Sequence, residues 1–440
     1  MHDSYLPAPD DDVAIGFLVN QITDSGSIGS NWADSYSYGA ASLFRPGTIP
    51  DLQDAVAAAP RIRALGSRHS FTSLADTSGI LVSLDALPAF IDIDEQACTV
   101  TVAAGLRYGD VATTLHERGW ALHNLASLPH ISIAGAIATG THGSGDGNGN
   151  LATAVAAIEV VTADGELVTI SRSDADFDGA VVSLGALGIL TSVTLDIEPT
   201  FDVRQDIYQG LAWDDLLGNL DTVTSSAYSV SVFTNWLGDS IETVWTKSRM
   251  DAAAPPAHIF GATPQIVDRH PLPELEASTT TVQGGIPGPW SDRLAHFKLE
   301  YTPSNGEELQ SEYLVPRHNA VAAIEVVRSR RQLVAPLLLV SEIRTMTADS
   351  LWLSGSYGTD AVAIHFTWKK LPSEIAAATR MLEAELLPLG ARPHWGKVFS
   401  ADAAALAPLY PRFDDFRALV ARYDPERTFT NAFLEKHLGL

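Results

Sequence analysis

The stretch Ala126–Asn150, ASLPHISIAGAIATGTHGSGDGNGN, limits what this chain can fold into more than any other. After a polar turn at Ser127–Pro129, the residues from Ile133 to Gly140 are almost all small, and Gly143–Asn150 is mostly glycine and asparagine. Backbone without Cβ atoms admits positive φ, allows close approach and exposes N–H groups. A phosphate-bearing cofactor requires that kind of surface. The stretch has no lysine and so is no Walker A loop, and it lacks the tight G-x-G-x-x-G of a Rossmann fingerprint. Asp164 falls near the distance of that fingerprint's acidic residue, but it belongs to an Asp-Gly turn between two strand-like runs. The ordered apolar set Ile131, Ile133, Ile137 and Ala138 separates the stretch from a plain linker.

With 440 residues, 46% of them hydrophobic and 18% charged, the chain has the composition of a globular protein with a large core. A net charge of −25, spread along the sequence, argues against nucleic acid and anionic membranes as partners. The single cysteine, Cys98, excludes an intrachain disulfide and a multi-cysteine metal site; it fits a reducing cytoplasm and is expected to be buried. The opening MHDSYLPAPDDD lacks the basic-then-apolar order of a signal peptide. Apolar runs such as Leu333–Val340 are far shorter than the roughly 18 residues of a membrane span.

Residues 1–30 read as an acidic extension. Thr48, with Pro50 just inside, starts a helix that runs to Ala59; a strand at Arg61–Leu65 ends in the turn GSRHSF, which carries His69. Strands follow at Leu81–Leu84, Ala89–Ile93 and Cys98–Val102, the last two forming a hairpin, and then a helix at Tyr108–Arg118. A second hairpin is expected around Asp164-Gly165, then a helix at Ala180–Leu187 and a strand at Ile189–Ile197. Interleaved strands and helices up to about residue 198 indicate an α+β unit. Beyond it come strands at Tyr228–Thr234 and Ile241–Thr246, and a proline-rich excursion over 251–310 without clear period. A strand at Leu309–Val315, a helix at His318–Leu333, strands at Leu338–Thr345 and Ala361–Lys369, and a helix at Glu374–Leu387 complete the series, before a closing segment with two short helices.

Strand alternation puts Glu342 and Arg344 on one face, and His365 and Thr367 on one face of the next strand. Ile343, Ile364 and Phe366 on the opposite face mark that side as core, so the polar side faces solvent or a pocket. Lys397 is one of six lysines and sits in the aromatic setting His394-Trp395-Gly396-Lys397. Such a lysine can stabilise an alkoxide or act as a base of lowered pKa. His123, His130 and His142 lack the spacing of a metal site, and no G-x-S-x-G elbow supports hydrolase chemistry.

These positions lie in the segments GSRHSF, NLASLPHISIAGAIATGTHGSG, VTADGELV, SLGALGILTSVTL, LQSEYLVPR, SEIRT, HFTW, RPHWGKVF and FTNAF. Through them the chain resembles the flavoproteins of the vanillyl-alcohol oxidase type and, within them, the bacterial alditol oxidases. The likeness runs from Asn31 to about Phe433. It implies an α+β fold, with an FAD-binding domain of two subdomains over 31–198. A substrate domain with an antiparallel sheet would occupy 199–440, its C-terminal segment closing over the flavin.

The resemblance further implies FAD linked covalently to His69, cradled by Leu65, Gly66, Ser67, Arg68, Ser70, Ser127, Ser132, Gly135, Thr139, Gly140, Thr141, His142, Ile189 (through its backbone) and His394. Ser127, Glu342, Arg344 and Thr367 match substrate-binding positions; Arg344, Lys397, His365 and Glu342 match the catalytic polar groups. Arg68 stands where many relatives have glycine, and if the position demands positive φ, arginine there is strained. The implied reaction oxidises the terminal hydroxyl of polyols such as xylitol and sorbitol by hydride transfer to flavin N5, with molecular oxygen reduced to hydrogen peroxide. The implied enzyme is a cytoplasmic monomer without metal, nucleic-acid or membrane partner. The alternative is an aldonolactone oxidoreductase of the gulono- or arabinono-1,4-lactone type, which shares the glutamate–arginine pair and the His-Trp-x-Lys block.

Overall fold

The structure is a computed structural model that describes residues 28–272, 274–301 and 307–440, so residues 1–27 of the expected extension lie outside the described residues. The fold is α+β, built from three main sheets. The first is small and parallel: β1 (Ser42–Phe44), β2 (Ile62–Ala64) and β3 (Ile80–Val82), with β3 in the middle. Helix α1 (Ile49–Ala58) crosses between β1 and β2, and the Thr48 hydroxyl accepts from Asp51 N at 3.2 Å to cap it.

The second sheet is antiparallel. It holds β4 (Ile91–Asp94), β5 (Thr99–Ala103), β6 (Val155–Val161), β7 (Leu167–Ser171) and β8 (Ile189–Asp196), in the order β4-β5-β8-β6-β7. Both expected hairpins are present. Helix α2 (Tyr108–Glu117) buries Val111 and Leu115 against this sheet's core, and α3 (Ile133–Ala138) buries Ile133 and Ile137 there.

Two expectations are overturned here. Ala180–Leu187 is not a helix: the helical turn is Phe177–Ala180, and Leu184 (φ 55) and Gly185 (φ 68) then adopt left-handed backbone that no helix continues through. Cys98 is exposed, not buried, because it occupies the β4–β5 turn at φ 53.

The third sheet has nine strands among the described residues. Its centre runs β9 (Asp202–Gln209), β11 (Thr243–Arg249), β10 (Ser229–Thr234), β13 (Leu338–Met346), β14 (Ala361–Lys369) and β12 (Glu308–Pro316), all antiparallel. Alternation divides its faces. Leu309, Tyr313, Val315, Ile343, Ile364, Phe366 and Trp368 share one apolar cluster with Ile324 and Val327 of the helix Ala320–Ser329 and Ile375, Leu382 and Leu386 of the helix Pro372–Leu386. The other face carries the polar side chains.

The 251–310 excursion is more structured than its composition suggests. Thr263–Gln265 and Gly288–Pro289 pair with β9, and Trp290 and His296 are buried. The closing segment forms three helices, not two: Ala403–Leu406, Phe413–Tyr423 and Ala432–Leu438. It returns to the N-terminal sheet, where Ile62 N donates to Thr428 O at 3.0 Å and Arg63 Nη1 donates to Phe429 O. Asn431 Nδ2 reaches the carbonyls of Ser73, Leu74 and Asp76 at 3.1, 3.0 and 2.7 Å.

Candidate active site

A cavity of about 680 Å3 lies between the polar face of the large sheet and the turns of the two smaller sheets. That size is in the range of small-molecule and cofactor sites. Its first wall is the turn after β2: Leu65, Gly66, Ser67, Arg68, His69 and Ser70 all line it. This turn is locked to the start of α3, since Ser132 N donates to Ser67 Oγ at 2.9 Å. A Cβ on Gly66 or Gly135 would lie 2.7 or 2.8 Å from Ser132 Oγ and would have to push that hydroxyl aside.

Arg68 has φ 63, the left-handed backbone that would strain an arginine. The surroundings hold it there. Arg68 Nη1 donates to Ile28 O and Ser30 O at 2.8 and 3.2 Å, Trp32 N donates to Arg68 O at 3.0 Å, and the guanidinium lies 5.3 Å from the Tyr38 ring centre. Next to it the His69 ring stacks on Trp32 at 5.2 Å. Burial pushes the His69 pKa down to about 4, and its buried Nδ1 has no hydrogen-bond partner among the described residues. A neutral imidazole with an unsatisfied nitrogen beside a cavity is fitted to a further ligand atom.

Ser127, Ser132, Gly135, Thr139, Thr141, His142 and His394 also line the cavity. Gly140 and Ile189 do not: Gly140 (φ 63) makes the turn between Thr139 and Thr141, and the Ile189 side chain is buried against Val161 and Phe429, leaving Gly188 and Leu190 at the wall.

The opposite wall is the sheet. Glu342, His365 and Glu312 stand directly across from one another on β13, β14 and β12, so all three point to the cavity face. Arg344 and Thr367 join them from the same strands, and Lys397 from the segment after Pro393. Glu312 is the centre of this group. Its Oε1 accepts from Arg344 Nη2 at 2.6 Å and its Oε2 from Lys397 Nζ at 2.7 Å, while His142 Nε2 lies 3.4 Å from Oε1 without hydrogen-bond alignment. Burial alone would raise the Glu312 pKa, but Lys397, Arg344 and His142 overcome it and hold the carboxyl well below its usual range.

Lys397 Nζ also donates to His365 Nδ1 at 2.8 Å; Nδ1 is therefore the acceptor, and His365 Nε2–H donates to Thr367 Oγ1 at 3.0 Å. Burial, with Lys397 adding to it, pushes His365 and His394 well below the ordinary histidine pKa, so both imidazoles are neutral. Burial lowers Lys397 too, opposed by Glu312. Glu342 accepts from His296 Nε2 at 2.8 Å and approaches Arg344 Nε at 3.6 Å; burial would raise it, but Arg344 and His296 keep it ionised. Arg344 Nη1 reaches Ser127 Oγ at 3.3 Å.

Every residue expected at the substrate side is thus in one cavity. Two more belong with them that the sequence reading did not single out: Glu312 and His296. Two cations are clamped by buried carboxylates and bordered by neutral imidazoles, an arrangement suited to holding a hydroxyl as negative charge develops on its oxygen. Among the described residues, no group of three or more His, Cys, Asp or Glu is placed to hold a metal ion, and no helix is long and apolar enough to cross a membrane.

Residues 40–171 match the family described as FAD binding domain, and residues 303–437 the family described as D-arabinono-1,4-lactone oxidase. The chain is 48% identical to alditol oxidase of a Streptomyces species over 92% of this chain and 97% of that one. It is 31% identical to L-gulono-1,4-lactone dehydrogenase of Mycobacterium tuberculosis over 94% of this chain and 99% of that one. Cholesterol oxidase of Brevibacterium sterolicum has a similar fold at 19% identity, with a TM-score of 0.76 over 99% of this chain and all of that one.

Proposed function

The chain belongs to the FAD flavoproteins of the vanillyl-alcohol oxidase type, in the group that includes alditol oxidase, and on that premise we propose that it oxidises the terminal hydroxyl of open-chain polyols. One observation carries this reading: Arg344 and Lys397 are held 2.6 and 2.7 Å from the two oxygens of one buried carboxylate, Glu312, in the wall of the cavity. FAD, when bound, would supply the hydride acceptor, with molecular oxygen as the final oxidant and itself reduced to hydrogen peroxide.

The cofactor fits the first wall. Gly66, Ser67, Ser132 and Gly135 leave backbone and hydroxyls open to close approach, and the unsatisfied His69 Nδ1 supplies the atom for a covalent histidyl link. Residues 31–198 would hold FAD and 199–440 the substrate. Arg344 and Lys397 hold the reacting hydroxyl, their charge opposing the negative charge that develops on its oxygen. His365, kept neutral, accepts from Lys397 at Nδ1 and donates through Nε2–H to Thr367, so it sets the direction of Lys397 Nζ and of the Thr367 hydroxyl toward the substrate. Glu342 accepts from the hydroxyl on the adjacent carbon, with Ser127 and Thr367 beside it. A lone exposed thiol accords with a cytoplasmic setting.

The polyol reading is preferred to the lactone one on the number of polar groups. Ser127, Glu342, Arg344 and Thr367 offer more donors and acceptors than a compact lactone ring satisfies. Each one left unpaired costs about 1–3 kcal/mol. The test is oxygen uptake with xylitol, sorbitol and glycerol against L-gulono-1,4-lactone. The polyols should have much the larger kcat/KM; a faster lactone overturns the reading.

A further inference from the structure

We infer that His296 is a positioning residue for the oxidation proposed above: it fixes the Glu342 carboxylate, and so sets the preference for substrates with a hydroxyl next to the carbon oxidised. The role rests on the polyol reading and goes beyond it, because His296 comes from the excursion and not from the strands that carry the other site residues.

The geometry is built from three sides. His296 Nε2 meets Glu342 Oε1 at 2.8 Å, with Ser231 Oγ at 3.4 Å. The ring is wedged between Phe233 and Trp245, centre to centre at 5.6 and 5.5 Å, so it cannot swing away. The backbone is pinned as well: His296 N and Phe297 N donate to Ser127 O at 3.1 and 3.3 Å, and Thr281 N donates to His296 O at 2.9 Å. Just before it, the fully buried Lys247 donates through Nζ to Leu294 O and Ala295 O at 2.6 and 2.8 Å. A buried lysine Nζ spent on two carbonyls is an expensive anchor for the excursion, and it fixes the residues that present His296. One residue thus touches both Glu342 and Ser127, two groups assigned to the substrate.

Burial and the nearby Lys247 charge push the His296 pKa down to about 4, so the ring is neutral and Nε2–H is the donor to Glu342. That bond decides where the carboxylate points. Oε1 is held by His296, while Oε2 stands 3.6 Å from Arg344 Nε, which has no hydrogen-bond partner among the described residues. Without His296, Glu342 is free to turn fully onto Arg344 Nε. It would then lose its aim at the substrate and take up a cation meant for the reacting hydroxyl.

Glycerol and 1,3-propanediol have equal length and differ only in the central hydroxyl, so their kcat/KM ratio reads the aim of Glu342. The flavin-loaded enzyme should prefer glycerol. In His296→Leu and His296→Asn that preference should fall at least tenfold, and KM for xylitol should rise at least tenfold with kcat within about threefold. His296→Gln, whose side-chain amide reaches the Nε2 position, should stay within threefold of the parent. Flavin absorbance and thermal unfolding identify the loaded, folded variants; if His296→Leu does not fold, His296→Asn decides. A preference retained in His296→Asn, or lost equally in His296→Gln, overturns the role of His296. A parent enzyme that oxidises neither glycerol nor xylitol overturns the polyol reading, and this role with it.

Discussion

Lys397 and Glu312 meet at 2.7 Å inside the cavity, and the other oxygen of the same carboxylate is taken by Arg344 at 2.6 Å. The carboxylate therefore governs both the place and the charge of the two cations. Burial lowers the Lys397 pKa and Glu312 opposes that fall. In Glu312→Gln, burial and Arg344 are left with only the weaker pull of Glu342 against them, so Lys397 gives up its proton at lower pH. The alkaline limb of kcat/KM should move toward neutrality, which a pH–rate profile reads directly. Stability should also fall, by about 3–5 kcal/mol for a broken buried pair, seen as a lower Tm. An unmoved alkaline limb would show that Lys397 does not work in its charged form.

Lys397→Met and Arg344→Ala each remove one preorganised charge at a developing oxyanion. Each should slow flavin reduction by about two orders of magnitude. Flavin content should stay near normal, since neither side chain belongs to the first wall. Stopped-flow reduction at parental rates in either variant would remove that residue from the chemistry.

Acid-precipitated enzyme should keep its flavin fluorescence on the polypeptide, and His69→Ala should release all of it to the supernatant. The basis is the unsatisfied Nδ1 of His69, held in place by the Trp32 stack. Complete release from the parent enzyme would exclude a covalent link, and the left-handed backbone of Arg68 would be the first place to look for the cause.

Stability should decline below about pH 6.5, the ordinary histidine pKa. Burial depresses His296 and His437 to about 4, so the folded protein keeps them neutral while the unfolded chain takes up protons. The stabilisation is complete above 6.5 and is lost as the pH falls toward 4, at up to about 1.4 kcal/mol per pH unit for each group. His437→Phe, in an aromatic nest with Phe399 and Phe433, isolates one contribution. Its denaturant-derived stability should have a shallower acid slope than the parent; equal slopes would contradict the depressed value.

Much of this site was legible because strand alternation is a local property. Glu342 with Arg344, and His365 with Thr367, could be put on one face from spacing two apart, and the apolar residues between them named the core side. Glu312 obeys the same rule, opposite Leu309, Tyr313 and Val315, and a glutamate set among apolar residues in such a strand was the available signal. What spacing cannot supply is which strands become neighbours, and only the β14 pairing sets Glu312 beside His365. His296 gave no such signal, since its excursion has no period and is placed by a buried lysine and backbone bonds. The mistaken helix at Ala180–Leu187 had acceptable helix composition until its last residues; left-handed Leu184 and Gly185 are imposed by the neighbouring structure, with Arg63 Nη2 donating to Leu184 O at 2.7 Å.

The closing segment fixes an order of events during synthesis. Phe71 N bonds Gly396 O at 2.8 Å, and Asn431 ties down the carbonyls of Ser73, Leu74 and Asp76, so the turn bearing His69 is finished by residues that emerge more than 300 positions later. A nascent chain can build the parallel sheet around β3 early, yet it lacks His394, Lys397 and the Phe429 carbonyl that complete the cavity. The cavity is therefore complete only once the closing segment has returned to the early turn. Until that return is made, the early turn waits as an open, aggregation-prone surface, the usual hazard of a fold whose decisive contacts are the most distant in sequence.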